Sequence, residues 1–201
     1  PLRSIMDGLP PGDLQVAFAA AGLVGWHHTA RHCGRCGART LVRAGGYSRH
    51  CLACGREWFP RTDPAVIVAI LDADDRLLLG RQPVWPERRM SVFAGFVETG
   101  ESLEQAIHRE IAEEVGLAVE RLGYLGSQPW PFPRSLMVAF AAHTRSTGFT
   151  LDVTEVEHAR WFERGELDRA VDTGEVLLPA ATSIAHRMIS AWQQGRLTGG
   201  S

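Results

Sequence analysis

Residues Gly95–Leu117 read GFVETGESLEQAIHREIAEEVGL, and no other stretch of the chain constrains the fold as tightly. It sets Gly95, Glu101, Arg109 with Glu110, Glu113 with Glu114, and Gly116 at fixed spacings. Ser102 followed by Gln105 is a capping-box pair, which predicts a helix starting there. At roughly 100° per residue Glu110 and Glu114 fall about 40° apart, one turn removed from each other. Leu103, Ala106, Ile107, Ile111 and Val115 form the apolar stripe of this helix, and both carboxylates fall inside its arc. A solvated charge run would occupy the opposite side. Carboxylates at the edge of a core cost several kcal/mol unless a positive charge compensates them. Ligands that are all hard oxygens point to Mg2+ or Mn2+ rather than zinc, which prefers sulfur and imidazole.

Working outward, 201 residues suffice for one ordinary domain and a small module. The composition is 45% hydrophobic. No apolar run approaches 18 residues and no charged-then-apolar leader is present, so nothing argues for membrane insertion or export, and the expected location is cytoplasmic. The net charge of −2 argues against indiscriminate nucleic-acid binding, but its distribution is uneven. Between Arg31 and Arg61 there are seven arginines and one acid, Glu57. The chain starts at Pro1, and an upstream domain is expected.

All four cysteines lie in Cys33-Gly-Arg-Cys36 and Cys51-Leu-Ala-Cys54, each pair followed by glycine and the pairs separated by 14 residues. Two residues between thiolates let both converge on one ion from a tight turn, so the spacing predicts a closed, structural Zn2+ site. Disulfides or a redox dithiol are the alternatives, and a reducing compartment disfavours the former. The expected organisation is a linker and helix over 1–30, a zinc ribbon over 31–60, a catalytic domain over 61–195 and a tail over 196–201. In the first part, Asp13–Trp26 reads as a helix with Leu14, Phe18 and Val24 as packing positions. Beyond the ribbon, Ala65–Leu71 is a continuous β-branched run that reads as a buried strand, with a turn over Asp72–Asp75 and a hairpin partner over Arg76–Leu79. Ser91–Phe93, Arg121–Gln128, Leu136–His143 and His158–Phe162 supply further strands, and Glu166–Val171 and Ser183–Gln194 read as helices. The expected fold class is α/β: an α/β/α sandwich with a mixed sheet, preceded by the small four-Cys zinc ribbon.

The stretch from Gly95 resembles the Nudix box, G-x5-E-x7-R-E-U-x-E-E-x-G-U with U aliphatic, and every position is met. That resemblance implies hydrolysis of a nucleoside diphosphate derivative, with Glu110, Glu113 and Glu114 and the backbone carbonyl of Ala94 holding Mg2+ or Mn2+. It also implies that Arg109 pairs with Glu101 and orients the helix.

The box fixes the bond attacked and leaves the substrate open. Ser127–Ser135 reads SQPWPFPRS, three prolines alternating with Trp130 and Phe132, a stiff extended loop suited to holding a flat heterocycle. Read from composition alone, the alternative is a surface turn with its aromatics in the core. A four-Cys ribbon, a Nudix box and then SQPWPFP resemble the NADH pyrophosphatase branch, the NudC-like enzymes. This resemblance covers Cys33 to about Met188. It implies hydrolysis of NAD(H) to nicotinamide mononucleotide and AMP, removal of NAD caps from RNA, and a homodimer. By the same likeness Gln128, Pro129, Trp130, Pro131, Phe132, Pro133, Arg134 and Ser135 line the dinucleotide site, Phe96 stacks on a ring and Ala185 contacts substrate through its backbone. Glu155, the first acid of EVEHARWF, matches a further metal carboxylate, and Glu113 and Glu155 are the candidate general bases. Phe59 stands where many members carry Tyr, and Gly46 offers no side chain at a ribbon position acidic in some relatives. The rival expectations are a Nudix hydrolase of ADP-ribose, dinucleoside polyphosphates or oxidised nucleotides, and an RNA-binding zinc-ribbon protein with an inactive hydrolase half.

Overall fold

The structure, a computed structural model, describes residues 2–197. The remainder of the tail expected over 196–201, beyond Leu197, lies outside the described residues. The chain divides into two compact units. One comprises the residues up to Asp63 together with Pro129–Leu136, and the other Pro64–Gln128 together with the residues from Met137 on.

In the first unit, helix α1 spans Pro11–Thr29, starting with proline in its first turn, where no intrahelical N–H partner is needed. It is longer than the expected Asp13–Trp26 at both ends. Phe18 is its buried residue; Leu14 is half-buried and Val24, expected to pack, is 55% exposed. Three short strands, β1 (Thr40–Arg43), β2 (Ser48–Cys51) and β3 (Glu57–Trp58), form an antiparallel sheet in the order β1-β2-β3. The buried Arg49 ties sheet to helix: its guanidinium donates to the Thr40 hydroxyl at 2.8 Å and the Thr40 carbonyl at 3.0 Å, and stands 3.0 Å from His27 Nδ1.

The second unit is built on a six-stranded sheet. Strands β4 (Asp63–Leu71), β5 (Leu77–Arg81), β7 (Arg121–Trp130), β8 (Ser135–His143) and β9 (His158–Phe162) run in the order β7-β8-β4-β5-β9, with β6 (Phe93–Phe96) also paired to β4. The turn after β4 closes because the buried Asp72 carboxylate accepts from the Asp74 and Arg76 amides and from Arg76 Nε at 2.7 Å. Residues Ala65–Leu71 are all buried, since helices cover both faces of β4. Ile67, Ala69 and Leu71 face the core formed with α3 (Arg164–Asp172) and α4 (Ile184–Gln193), through Leu167, Ala170, Met188, Ile189 and Trp192. Val66 points to the opposite face and is registered against Gly95 of β6. Helix α2 (Leu103–Val115) lies on that side, because its Glu110 abuts Gly95. The result is a sheet between helical layers, as the strand and helix patterns implied. No helix among the described residues is long and apolar enough to cross a membrane.

Candidate active site

Helix α2 forms where the sequence places it. The Gln105 amide donates to Ser102 Oγ at 3.2 Å and the Ser102 amide to Gln105 Oε1 at 2.8 Å, completing the capping box. It ends at Gly116, whose φ of 66° is left-handed. Ala106, Ile107, Ile111 and Val115 are buried, and so is Glu114, 3% exposed on the same stripe.

Glu110, Glu114 and Glu155 each bring a carboxylate oxygen within 4.8 Å of the others. Glu155 comes from a loop fastened to the end of α2. The Asp152 amide donates to the Glu114 carbonyl at 3.0 Å, and the Glu155 amide to the Asp152 carbonyl at 3.0 Å. The Asp152 carboxylate in turn accepts from the Thr154 amide and hydroxyl. This Asp152-Val-Thr154 turn is a local signal that an acid-x-threonine reading would have found. Gly95 is required for space: a β-carbon there would overlap the Glu110 carboxylate.

Electrostatics at this cluster run against the free carboxylates. Glu114 is pushed up from 4.5 to about 8, first by burial and then by Glu110, Glu155 and Glu113. Burial also raises Glu110, against the opposing pull of Arg109. Glu114 has no cationic side-chain partner among the described residues. At a metal–oxygen distance of about 2.1 Å, two ligand oxygens on one Mg2+ stand at most about 4.2 Å apart. The trio would therefore close on an ion by a small shift, and its all-oxygen donor set suits a hard divalent cation.

Arg109 organises the surroundings. Its Nε donates to Glu101 Oε1 at 2.6 Å and its Nη2 to Glu101 Oε2 at 2.9 Å, a bidentate pair. It also donates to the Phe96 carbonyl at 2.9 Å, to Glu110 at 2.9 Å and to Glu113 at 3.1 Å. The arginine holds the Glu101 carboxyl down at about 2, helped by the Glu98 amide. Glu113 thus differs from the other box acids: its side chain is 61% exposed, on Arg109, and outside the close trio. The Phe96 ring is 56% exposed, and Ala94 lies on β6 opposite Ile67.

The other expected site residues divide between the two units. Gln128 is buried in the second, where its Nε2 donates to the Thr182 carbonyl at 2.8 Å and its Oε1 accepts from the Ile184 amide at 2.7 Å. It thereby anchors the start of α4. Ser183 Oγ takes the His186 amide and the Ser183 carbonyl the Arg187 amide, so Ala185 sits in that first turn between satisfied neighbours. Residues Pro129–Ser135 belong to the first unit. There Trp130 and Phe132 pack edge-on against each other and against Phe18, with ring centroids 5.1 to 6.4 Å apart, and the Arg3 guanidinium lies over both rings. Pro131 lies against α1 at Gly22, and Ser135 is buried. Arg134 bonds Asp63 at 2.6 Å, while Pro133 follows a cis peptide bond.

The four thiols form a second cluster, again within 4.8 Å of one another. Cys33 and Cys54 sulfurs are 3.7 Å apart and Cys36 and Cys51 sulfurs 3.5 Å. Tetrahedral zinc with Zn–S of about 2.3 Å separates its sulfurs by about 3.8 Å, whereas a disulfide needs about 2.05 Å. The two knuckles are equivalent, with the Gly37 amide on the Cys33 carbonyl at 2.9 Å and the Gly55 amide on the Cys51 carbonyl at 3.0 Å. Burial pushes the Cys33 thiol up, but the Arg35 and Cys36 amides and the Trp58 indole outweigh it and bring it down to about 6. The Trp58 Nε1 is buried without a conventional partner, and its ring covers Gly34. A buried indole N–H beside a thiolate fits a metal-bound sulfur, a partner that the cysteine spacing alone did not reveal.

A profile described as "NUDIX domain" matches residues 61–181, more than half of the chain. The chain belongs to the Nudix family. A second profile, "NADH pyrophosphatase zinc ribbon domain", matches residues 28–59, so the four-cysteine cluster is a zinc site of that ribbon type. Relatives of this Nudix chain include "NAD-capped RNA hydrolase NudC" of Mycobacterium bovis, 46% identical over 187 residues, covering 89% of this chain and 60% of the relative. A protein of the same name from Chromobacterium violaceum is 41% identical over 189 residues, covering 94% of this chain and 68% of the relative. The chain therefore spans about three fifths of the length of the mycobacterial relatives it matches. Among solved structures, a Nudix hydrolase from Nitrosomonas europaea superposes with a TM-score of 0.65 at 20% identity, covering 83% of this chain and 92% of the other, which supports the shared fold.

Proposed function

We propose that this Nudix chain hydrolyses the pyrophosphate bond of NAD(H) to nicotinamide mononucleotide and AMP, and removes NAD caps from RNA. The observation that carries the reading is the buried Glu114 gathered with Glu110 and Glu155, with no cationic side-chain partner among the described residues. The substrate assignment leans on the relatives' names and on the ribbon joined to the Nudix domain.

In this reading Glu110, Glu114 and Glu155, with the Ala94 carbonyl, hold Mg2+ or Mn2+. The bound cation would make water acidic enough to attack phosphorus and would neutralise charge on the leaving oxygen. Arg109 and Glu101 keep α2 and the Phe96 loop in register. Glu113 is the box carboxylate outside the trio, which makes it the stronger candidate to accept the proton of the attacking water, and Glu155 the alternative. Such a base contributes roughly 10²- to 10⁴-fold. Phe96, Ala185 and Gln128–Ser135 are assigned to the dinucleotide. Gln128 acts through α4, whose first turn carries Ala185. A cytoplasmic homodimer, with a ribbon over 31–60 and a catalytic domain over 61–195, completes the proposal.

The test offers NADH, ADP-ribose and an NAD-capped RNA at equal concentration with Mg2+ or Mn2+ and identifies the products. Nicotinamide mononucleotide and AMP from NADH, with 5′-monophosphate RNA from the capped substrate, are expected. Faster turnover of ADP-ribose than of either would overturn the substrate assignment and leave the Nudix chemistry standing.

A further inference from the structure

The carboxylate trio draws two members from helix α2 and the third from a loop, and the three are not held alike. Glu114 is buried and Glu110 accepts from Arg109. Glu155 is exposed, and its carboxylate makes no hydrogen bond or ion pair among the described residues. What brings Glu155 to the cluster is therefore the backbone around it.

That backbone is clamped on both sides. Upstream, the Thr150 amide donates to the Val115 carbonyl at 3.0 Å and the Asp152 amide to the Glu114 carbonyl at 3.0 Å, which satisfies two of the carbonyls that a helix leaves free at its C-terminus. Glu114 thus contributes a buried carboxylate to the cluster and, through its main chain, holds the loop that supplies Glu155. Downstream, Val156 is buried and the Glu157 amide donates to the Arg81 carbonyl of β5 at 2.9 Å. Between these clamps Asp152 closes the turn twice. Its carbonyl accepts from the Glu155 amide at 3.0 Å and the Val156 amide at 2.8 Å. Its Oδ1 accepts from the Thr154 amide at 2.9 Å and the Thr154 hydroxyl at 2.7 Å. A side-chain oxygen bonded to the main chain two residues on is an Asx-turn, which selects one backbone path among those that sterics allow. Asp152 is itself exposed and stands outside the trio.

We infer that Asp152, together with the Thr154 hydroxyl, is a positioning residue for the cation site: its side chain sets the backbone that aims Glu155 at Glu110 and Glu114. The inference rests on the proposed reading of those three carboxylates as metal ligands, and it adds residues that lie outside both the box and the EVEHARWF stretch.

The test is Mn2+ affinity, measured by electron paramagnetic resonance on the zinc-loaded full chain without substrate, for Asp152→Ala, Asp152→Asn, Thr154→Val and Glu155→Gln. Asp152→Ala should weaken Mn2+ binding about 10- to 100-fold, the range found for groups that orient metal ligands. Thr154→Val should act in the same direction and carries the same test if the alanine variant does not fold. Asp152→Asn keeps an oxygen that can close the Asx-turn and should restore the affinity. Adding Asp152→Ala to Glu155→Gln should weaken binding no further than Glu155→Gln alone, since two residues acting through one carboxylate are not additive. Wild-type affinity in both Asp152→Ala and Thr154→Val would overturn the inference. Equal weakening in Asp152→Asn and Asp152→Ala would also overturn it, because the cation would then be sensing the charge and not the turn. So would additive losses in the double variant, the mark of a general structural role. A chain whose Mn2+ affinity depends on Asp152 in this way but which leaves NADH intact would refute the proposed substrate alone. Cleavage of NADH with Mn2+ affinity indifferent to Asp152 and Thr154 would refute this inference alone.

Discussion

Glu114 pairs a position fixed by helix periodicity with an environment hostile to its charge. Its pKa of about 8 in the folded chain exceeds its usual 4.5, so folding takes up a proton between those values. The stability tied to this group is fully present below about pH 4.5 and is lost as pH rises through 8. Glu101 works in the opposite sense, its contribution being present above about 4.5 and lost as pH falls towards 2, which leaves the interval between pH 5 and 8 to the buried cluster. Metal-free protein in a chelator should therefore show a melting temperature that falls from pH 5 to pH 8. Glu114→Gln should flatten that dependence, and Mg2+ should flatten it in the wild type. A pH-independent melting temperature without metal would contradict the electrostatics described. Trp58 supports a prediction of the same kind at the ribbon. Removing its N–H by Trp58→Phe should weaken zinc affinity about 10- to 100-fold, the range found for outer-shell partners, measured by competition with a chromogenic chelator. Equal zinc retention would leave the orphaned indole without a role.

At the scale of elements, much of the molecule was legible because local patterns and tertiary demand agree. The capping box, the apolar stripe of α2 and the all-buried β4 were each readable from spacing alone, and β9 has the expected bounds of His158–Phe162. Element ends were less legible: β7 continues to Trp130 and β8 begins at Ser135, because the chain pairs into the proline-rich stretch that composition marks as loop. In α1, side chains of similar hydropathy surround the helix, which is why Val24 could not be told from Phe18 by pattern. The capping interactions at Ser102 give an element-scale prediction. Ser102→Ala removes the acceptor of the Gln105 amide and should cost about 1 kcal/mol, read as a lower urea midpoint with unchanged slope. A midpoint equal to wild type would show that α2 is held by its buried face alone.

For the molecule as a whole, the Nudix box and the cysteine quartet announced two modules, and each has its own compact unit. The assignment of Pro129–Leu136 to the ribbon unit was not legible, since it depends on Phe18 meeting Trp130 and Phe132 across more than a hundred residues and on Asp63 pairing with Arg134. Spacing did not show that Glu113, in the middle of the box, lies on Arg109, and Glu155, some forty residues later, was expected beside Glu110 and Glu114 only through the family resemblance, where the structure places it. A linear motif fixes which helix face a residue occupies, and the loop that completes the site is set by tertiary contacts such as the Asp152 amide on Glu114.

The central claim is that inward-facing carboxylates gather a divalent cation that acts on a pyrophosphate. Titration of Mn2+ into wild type and Glu114→Gln at pH 7.5, followed by electron paramagnetic resonance alongside NADH turnover, tests it most directly. The account predicts tight Mn2+ binding with turnover in the wild type and the loss of both in the variant, with fold and zinc content intact. Wild-type Mn2+ affinity and turnover in Glu114→Gln would contradict it.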